Sequence, residues 1–370
     1  MRFINFLIKP ASSLCDCRCR YCFYEDESNK RTQKSCGIMA EAVVDALLDK
    51  AMKGIDPKGE ISFAFQGGEP TLAGLDYFKH FVAKAKKRKS QGVRLHFAIQ
   101  TNGLTLDSEW AKFFHEEGFL VGLSLDGTEE IHNANRMDAQ GKGTYQRVKK
   151  AYELLTSYHV ETNILSVVTA SMASQGKEVY ESLKKLGCRY LQFIACLDPI
   201  GEKRGGRPYS LTPDAYGKFL CDTFDAYYGD WKKGDYHSVR LFDDYIHILL
   251  NDGASTCATC GRCGAYFLVE ANGSVYPCDF YALDAWKGGN ILHQSLQEIV
   301  HSPVFVSFLE EGKKKPEECY RCHYRKLCNG GCKNDWQDGH NYYCSSFLRL
   351  FDYASERILE IARTEWEARQ

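Results

Sequence analysis

Over its first 195 residues the chain alternates short apolar runs with longer stretches whose apolar residues recur at helical spacing. Residues 3–9 read as a strand that feeds straight into a cysteine-rich loop, and apolar residues from Ile38 to about Met52 read as a helix. Strand patterns follow at Ile61–Phe65, Arg94–Ile99, Phe119–Ser124, Glu161–Val168 and Tyr190–Ala195. Between them lie helical patterns that end near Lys87 and cover about 107–117, 143–158 and 174–186. Strand-then-helix units with short connections predict a parallel sheet with helical crossovers. No dinucleotide fingerprint follows the first strand, so the expected fold is α/β, a partial (β/α)6 barrel rather than a doubly wound sheet.

Polar residues cluster just after the strands. These are the cysteine loop, Gln66-Gly-Gly-Glu-Pro70, Gln100-Thr-Asn-Gly103, Ser124-Leu-Asp126 and Leu197-Asp-Pro199. In a parallel α/β barrel the strand ends face one mouth, where chemistry is built. Residues 200–211 read as a surface loop, followed by helices near 212–229 and 241–251. The character changes at about 251. We expect a barrel over 1–250, a cysteine-rich domain over 251–346, and a C-terminal helix over 347–370 packed back on the body.

Composition narrows the function classes. Apolar residues make up 44% and charged residues 26%, and 47 basic against 48 acidic side chains leave a net charge of −1. That balance argues against nucleic acid and against anionic membranes as partners. No apolar run approaches the roughly 20 residues that span a bilayer. The N-terminal apolar segment is too short for a signal peptide, so a cytoplasmic location is expected. The 17 cysteines are the outlying number: four lie within 15–22 and nine within 257–344. An odd count in a long, core-forming chain favours metal ligation over a disulfide framework.

Cys15, Cys19 and Cys22 give C-x3-C-x2-C, followed by Phe23 and Tyr24. Three thiolates on one loop can hold three corners of a four-iron cluster and leave one iron open to a small molecule. A zinc knuckle is the alternative. Cys17 offers a fourth sulfur but lies too close to both neighbours in sequence to extend the pattern. Downstream, Cys257-x2-Cys260-x2-Cys263 precedes Gly273-x4-Cys278, and a second group reads Cys319-x2-Cys322-x5-Cys328-x3-Cys332-x11-Cys344. Thiolates two residues apart can share one metal centre, and structural zinc stays open on spacing alone.

The cysteine loop together with Gly67-Gly-Glu-Pro70 resembles the radical S-adenosylmethionine superfamily. Residues 257–344 resemble its SPASM iron–sulfur domain, with 15 residues between Cys257 and Gly273. Leu7-Ile-Lys-Pro-Ala-Ser-Ser13, the stretch from Ser62 to Gly74 and Tyr276-Pro-Cys-Asp-Phe-Tyr281 are similar to the anaerobic sulfatase-maturating enzymes. The likeness covers essentially the whole chain. Cys17 and Cys260 are extra to the family pattern.

The resemblance implies S-adenosylmethionine and three [4Fe-4S] clusters. Cys15, Cys19 and Cys22 would hold the first cluster. Cys257, Cys263, Cys278 and Cys332 would hold the second, although by spacing alone Cys260 competes with Cys263. Cys319, Cys322, Cys328 and Cys344 would hold the third. Gln66, Gly67, Gly68, Glu69, Ser124, Asp126, Arg136 and Leu197 would contact the cofactor, the glycines by close backbone approach and Glu69 by pairing with an ammonium. Tyr24 and Gln66 would line the peptide channel, and Asp279 would be the base. The implied reaction oxidises a Cys or Ser of a sulfatase segment, Cys/Ser-x-Pro-x-Arg, to Cα-formylglycine. A low-potential donor such as flavodoxin or ferredoxin would supply electrons, and a monomer is expected.

Two other readings compete. A SPASM peptide maturase that forms thioether or other crosslinks shares these motifs but often carries an added N-terminal recognition domain, for which the strand running into Cys15 leaves no room. A zinc-stabilised binding protein would explain the thiols alone.

Overall fold

Strand β1 (Phe3–Ile8) turns Ile4, Phe6 and Ile8 inward, the period-two burial expected of a strand packed on one face. The computed structural model describes residues 1–370. Strands β2 (Glu60–Phe65), β3 (Arg94–Thr101) and β4 (Phe119–Ser124) follow β1 in a parallel array. The register places Phe6 opposite Phe63 and Phe63 opposite Phe97. Their rings stack at centroid distances of 5.6 and 5.8 Å. Each buried phenylalanine of this ladder contributes about 1.5–3 kcal/mol. The helices Glu41–Gly54 and Leu75–Arg88 cover this face with Val44, Leu47, Leu48, Phe78 and Phe81. The α/β class with a parallel sheet is the one expected from the strand-and-helix pattern.

Two compact units divide the chain. The first comprises residues 1–124, 133–162 and 265–308, and the second 125–132, 163–264 and 309–370. Compactness therefore groups part of the cysteine-rich region with the N-terminal strands. The linear division at 250 and 346 stands as our proposal for the modules.

One pairing in the first unit matters most for chemistry. The short strand β8 (Phe267–Val269) lies parallel to β1, with Phe6 opposite Phe267 and Ile8 opposite Val269. Strands β9 (Ser274–Tyr276) and β10 (Gly289–Asn290) continue the sheet antiparallel. Residues about 260 positions downstream thus meet the end of β1.

In the second unit β5 (Thr162–Val168), β6 (Tyr190–Ala195) and β7 (Ser238–Val239) pair in parallel. The Pro213–Trp231 helix starts where Thr212 caps the Ala215 amide, with proline in the first turn. It packs on the Cys344–Ala368 helix, where Gly217 admits the neighbouring backbone: an added Cβ would sit 3.2 Å from Ser346 Cα. No helix is long and apolar enough to cross a membrane.

Candidate active site

Cys15, Cys17, Cys19 and Cys22 share one loop of the first unit. Cys22 caps the Phe23–Asn29 helix by accepting from the Glu25 amide, and burial pushes its thiol up to about 12. The loop is pinned from the side. The Arg18 and Arg20 amides donate to Met137 O and Asn135 O, and the Ala139 amide donates to Asp16 O. Arg136 lies over the Tyr21 ring at 5.3 Å and points a guanidinium nitrogen at Cys19 Sγ from 4.0 Å.

The glycine turn is built onto the segment that leads into this loop. The Gly68 amide donates to Ser12 O at 2.9 Å and the Glu69 amide to Leu14 O at 2.6 Å. A Cβ on Gly68 would stand 2.1 Å from Leu14 O, and Gly67 adopts φ +137°, so both positions require glycine. Glu69 is fully buried. Its carboxylate accepts from the Thr71 amide and hydroxyl, the Thr101 hydroxyl and the Asn102 amide at 2.6–3.0 Å. Burial pushes its carboxyl up against these donors. The turn and the end of β3 are thereby locked together.

Asp279 stands at the far end of the β8–β9 excursion, directly after Cys278. One carboxylate oxygen accepts from Lys9 Nζ and the other from Gln66 Nε2. Lys9 is fully buried and sits 3.8 Å above the Tyr24 ring. The Tyr24 hydroxyl donates to Glu270, which also pairs with Arg31 at 2.6 Å, both side chains buried. Tyr24 therefore floors the ammonium that holds Asp279. Glu270 and Arg31 were not named from the sequence, and Lys9 and Asn102 entered only as members of the Leu7–Ser13 and Gln100–Gly103 stretches, without a role. Beyond that stretch, the signal for Lys9 was a lysine ending an otherwise apolar run.

The remaining expected positions are placed as follows. Ser124 accepts from Gln100 Nε2 at 3.0 Å in the first unit. In the second unit, buried Asp126 accepts from the Val167 amide at 3.0 Å, and the Leu197 carbonyl accepts from the Cys196 thiol.

The second unit holds two groups of thiols. Cys319, Cys322, Cys328 and Cys344 line one largely apolar cavity of about 230 Å³. Cys332 is pushed up to about 12 by burial and is in electrostatic contact with Cys257 and Cys263. Cys263 lies against the Gly312 backbone, where a Cβ would meet its sulfur at 2.5 Å. Cys260 is exposed and donates to Ala254 O. Soft thiolate sets of this kind suit iron–sulfur clusters or zinc.

Residues 10–172 match the radical SAM superfamily and residues 257–323 match the SPASM iron–sulfur cluster-binding domain. The fold and the three-cysteine loop with its glycine turn thus define a radical SAM enzyme with an auxiliary iron–sulfur domain. The chain is 43% identical over 365 residues to a cysteine-type anaerobic sulfatase-maturating enzyme of Clostridium perfringens, covering 97% of this chain and 98% of the relative. A serine-type enzyme of Bacteroides thetaiotaomicron is 28% identical over 373 residues, covering 94% and 89%. The solved structure of native anSMEcpe with bound AdoMet and Kp18Cys peptide superposes with a TM-score of 0.93 at 42% identity, covering 98% of this chain and 99% of that one. This chain belongs to the anaerobic sulfatase-maturating enzymes.

Proposed function

We infer that this protein oxidises a cysteine side chain of a sulfatase segment to Cα-formylglycine, with Asp279 as the base. The observation that carries the reading is the buried Lys9 and Gln66 grip on Asp279, built next to the glycine turn and the cysteine loop. The donor set fits the cofactors the family uses: a loop of thiols for a cluster, and beside it a glycine turn packed on the backbone of Ser12 and Leu14. Cys15, Cys19 and Cys22 would hold the cluster. Gly67 and Gly68 would present backbone to S-adenosylmethionine, Glu69 fixing their turn, with Ser124, Asp126, Arg136 and Leu197 as further contacts.

When bound, these groups supply a 5′-deoxyadenosyl radical to take one Cβ hydrogen, and an auxiliary cluster to accept the remaining electron. The protein's part is proton transfer and positioning. Lys9 and Gln66 each occupy one Asp279 oxygen, and each oxygen keeps a lone pair in fixed orientation. Such a carboxylate can take the substrate thiol proton. Loss of one hydrogen atom, one proton and one electron leaves a thioaldehyde, which water converts to the aldehyde with release of hydrogen sulfide.

The preference for cysteine rests on the relatives, since cysteine-type enzymes are 40–43% identical and serine-type ones 28–29%. We extend the reading to three [4Fe-4S] clusters, the second on Cys257, Cys263, Cys332 and Cys278 and the third on Cys319, Cys322, Cys328 and Cys344. Clusters fully ligated by cysteine carry electrons, which calls for an outside low-potential donor such as flavodoxin or ferredoxin. A cytoplasmic monomer completes the proposal. The test is anaerobic incubation of the reconstituted protein with a Cys-x-Pro-x-Arg peptide and its serine counterpart, read by mass spectrometry. Formylglycine forming faster from the cysteine peptide is expected. No formylglycine from either would refute the reading.

A further inference from the structure

The fourth thiol of the loop, Cys17, has surroundings unlike those of a packing cysteine. It is 6% exposed, and its sulfur and that of Cys15 both face the Asn102 side-chain nitrogen. The Asn102 side-chain nitrogen Nδ2 stands 3.3 Å from Cys17 Sγ, 4.0 Å from Cys15 Sγ and 2.6 Å from Asp16 Oδ1. The Cys17 backbone amide itself donates to Cys15 Sγ at 3.4 Å. Its backbone is not free to turn the thiol elsewhere. Cys17 bridges Asp138, and Arg18 clamps the Cys15 and Cys17 carbonyls at 2.7 Å each.

We propose that Cys17 is an exchangeable fourth ligand of the cluster held by Cys15, Cys19 and Cys22. It occupies the open iron until the amino and carboxylate groups of S-adenosylmethionine displace it. The inference rests on the cluster reading above. Four thiols supply one sulfur ligand for each of four irons, and thiolate is the donor such irons prefer. Asn102 supplies the N–H donor that tunes thiolate ligands. The exchange is a ligand substitution. The iron–sulfur bond to Cys17 breaks, bonds from iron to nitrogen and oxygen form, and the released thiolate takes up a proton, with no change in oxidation state. The device guards the labile iron in the resting enzyme and lowers apparent cofactor affinity by competition.

The test compares full-length wild type, Cys17→Ala and Cys17→Val after anaerobic reconstitution. Each is mildly oxidised without S-adenosylmethionine, and the three-iron cluster signal is quantified by electron paramagnetic resonance. Cofactor affinity is measured in parallel by anaerobic equilibrium dialysis. Both variants are expected to lose the fourth iron several-fold more readily than wild type and to bind S-adenosylmethionine several-fold more tightly. Equal signals and affinities in all three proteins would overturn the proposal. So would a Cys17→Val protein that behaves as wild type while only Cys17→Ala differs, since that marks a packing role. A wild type lacking acid-labile sulfide would instead overturn the underlying cluster reading, and this inference with it.

Discussion

Glu27 carries a cost the fold bears at neutral pH. It lies on the helix that follows Cys22, 1% exposed, with both carboxyl oxygens buried and only partly compensated by Lys9, Arg31 and the Ala282 amide. Burial, and then the negative charge of Asp279, push its carboxyl up from 4.5 to about 9. The folded chain therefore keeps this proton over a pH range in which the unfolded chain releases it. Stability from this group is fully present below the unfolded value and is lost as pH rises toward about 9. Each pH unit in that window costs about 1.4 kcal/mol, so the penalty grows by roughly 3 kcal/mol between about pH 6 and pH 8.5. Glu27→Gln mimics the protonated form and has no proton to lose. Thermal midpoints of variant and wild type, measured anaerobically at matched scan rate, should lie closest near pH 6. By about pH 8.5 the variant should have gained several degrees relative to wild type. Parallel curves for the two proteins across that range would refute the reasoning.

Three further outcomes follow from the site. Gly68→Ala drives a Cβ into Leu14 O and should weaken S-adenosylmethionine binding by about tenfold or more, measured by equilibrium dialysis. Lys9→Met leaves a carboxylate without its buried cation and should cost about 3–5 kcal/mol, read as a lower thermal or denaturant midpoint alongside reduced formylglycine. The triple variant Cys15→Ala, Cys19→Ala, Cys22→Ala should form no 5′-deoxyadenosine by chromatography, and retained cleavage would break the cluster assignment.

Short apolar runs made β1 to β4 legible; Ile4, Phe6 and Ile8 and their β2 partners alternate cleanly, while β4 is buried at every position but Leu120. The Phe23–Asn29 helix was not legible. Its sequence, Phe-Tyr-Glu-Asp-Glu-Ser-Asn, has no apolar period, and what starts it is the Cys22 cap and the packing of Phe23 on Phe280. The burial of Glu27 within it is equally invisible to a pattern that reads acids as exposed. Asp279 could be named from the family pattern, but its partners could not. They depend on the β1–β8 pairing, three residues long and 260 positions apart, too short for any periodicity to reveal. Cys17 looked crowded out by its neighbours in sequence. The pinning of its loop to residues 135–139 is a tertiary contact, and that contact accompanies a thiol that shares the Asn102 side-chain nitrogen with Cys15.

The central claim is that Asp279 takes the substrate proton in a reaction begun by hydrogen removal from Cβ. A Cys-x-Pro-x-Arg peptide deuterated at the cysteine Cβ tests it directly, with wild type and Asp279→Asn compared by mass spectrometry. The account predicts deuterium in 5′-deoxyadenosine and formylglycine in the peptide for wild type, and continued cofactor cleavage with little formylglycine for Asp279→Asn. Deuterium absent from 5′-deoxyadenosine, or formylglycine at the wild-type rate from Asp279→Asn, would contradict it.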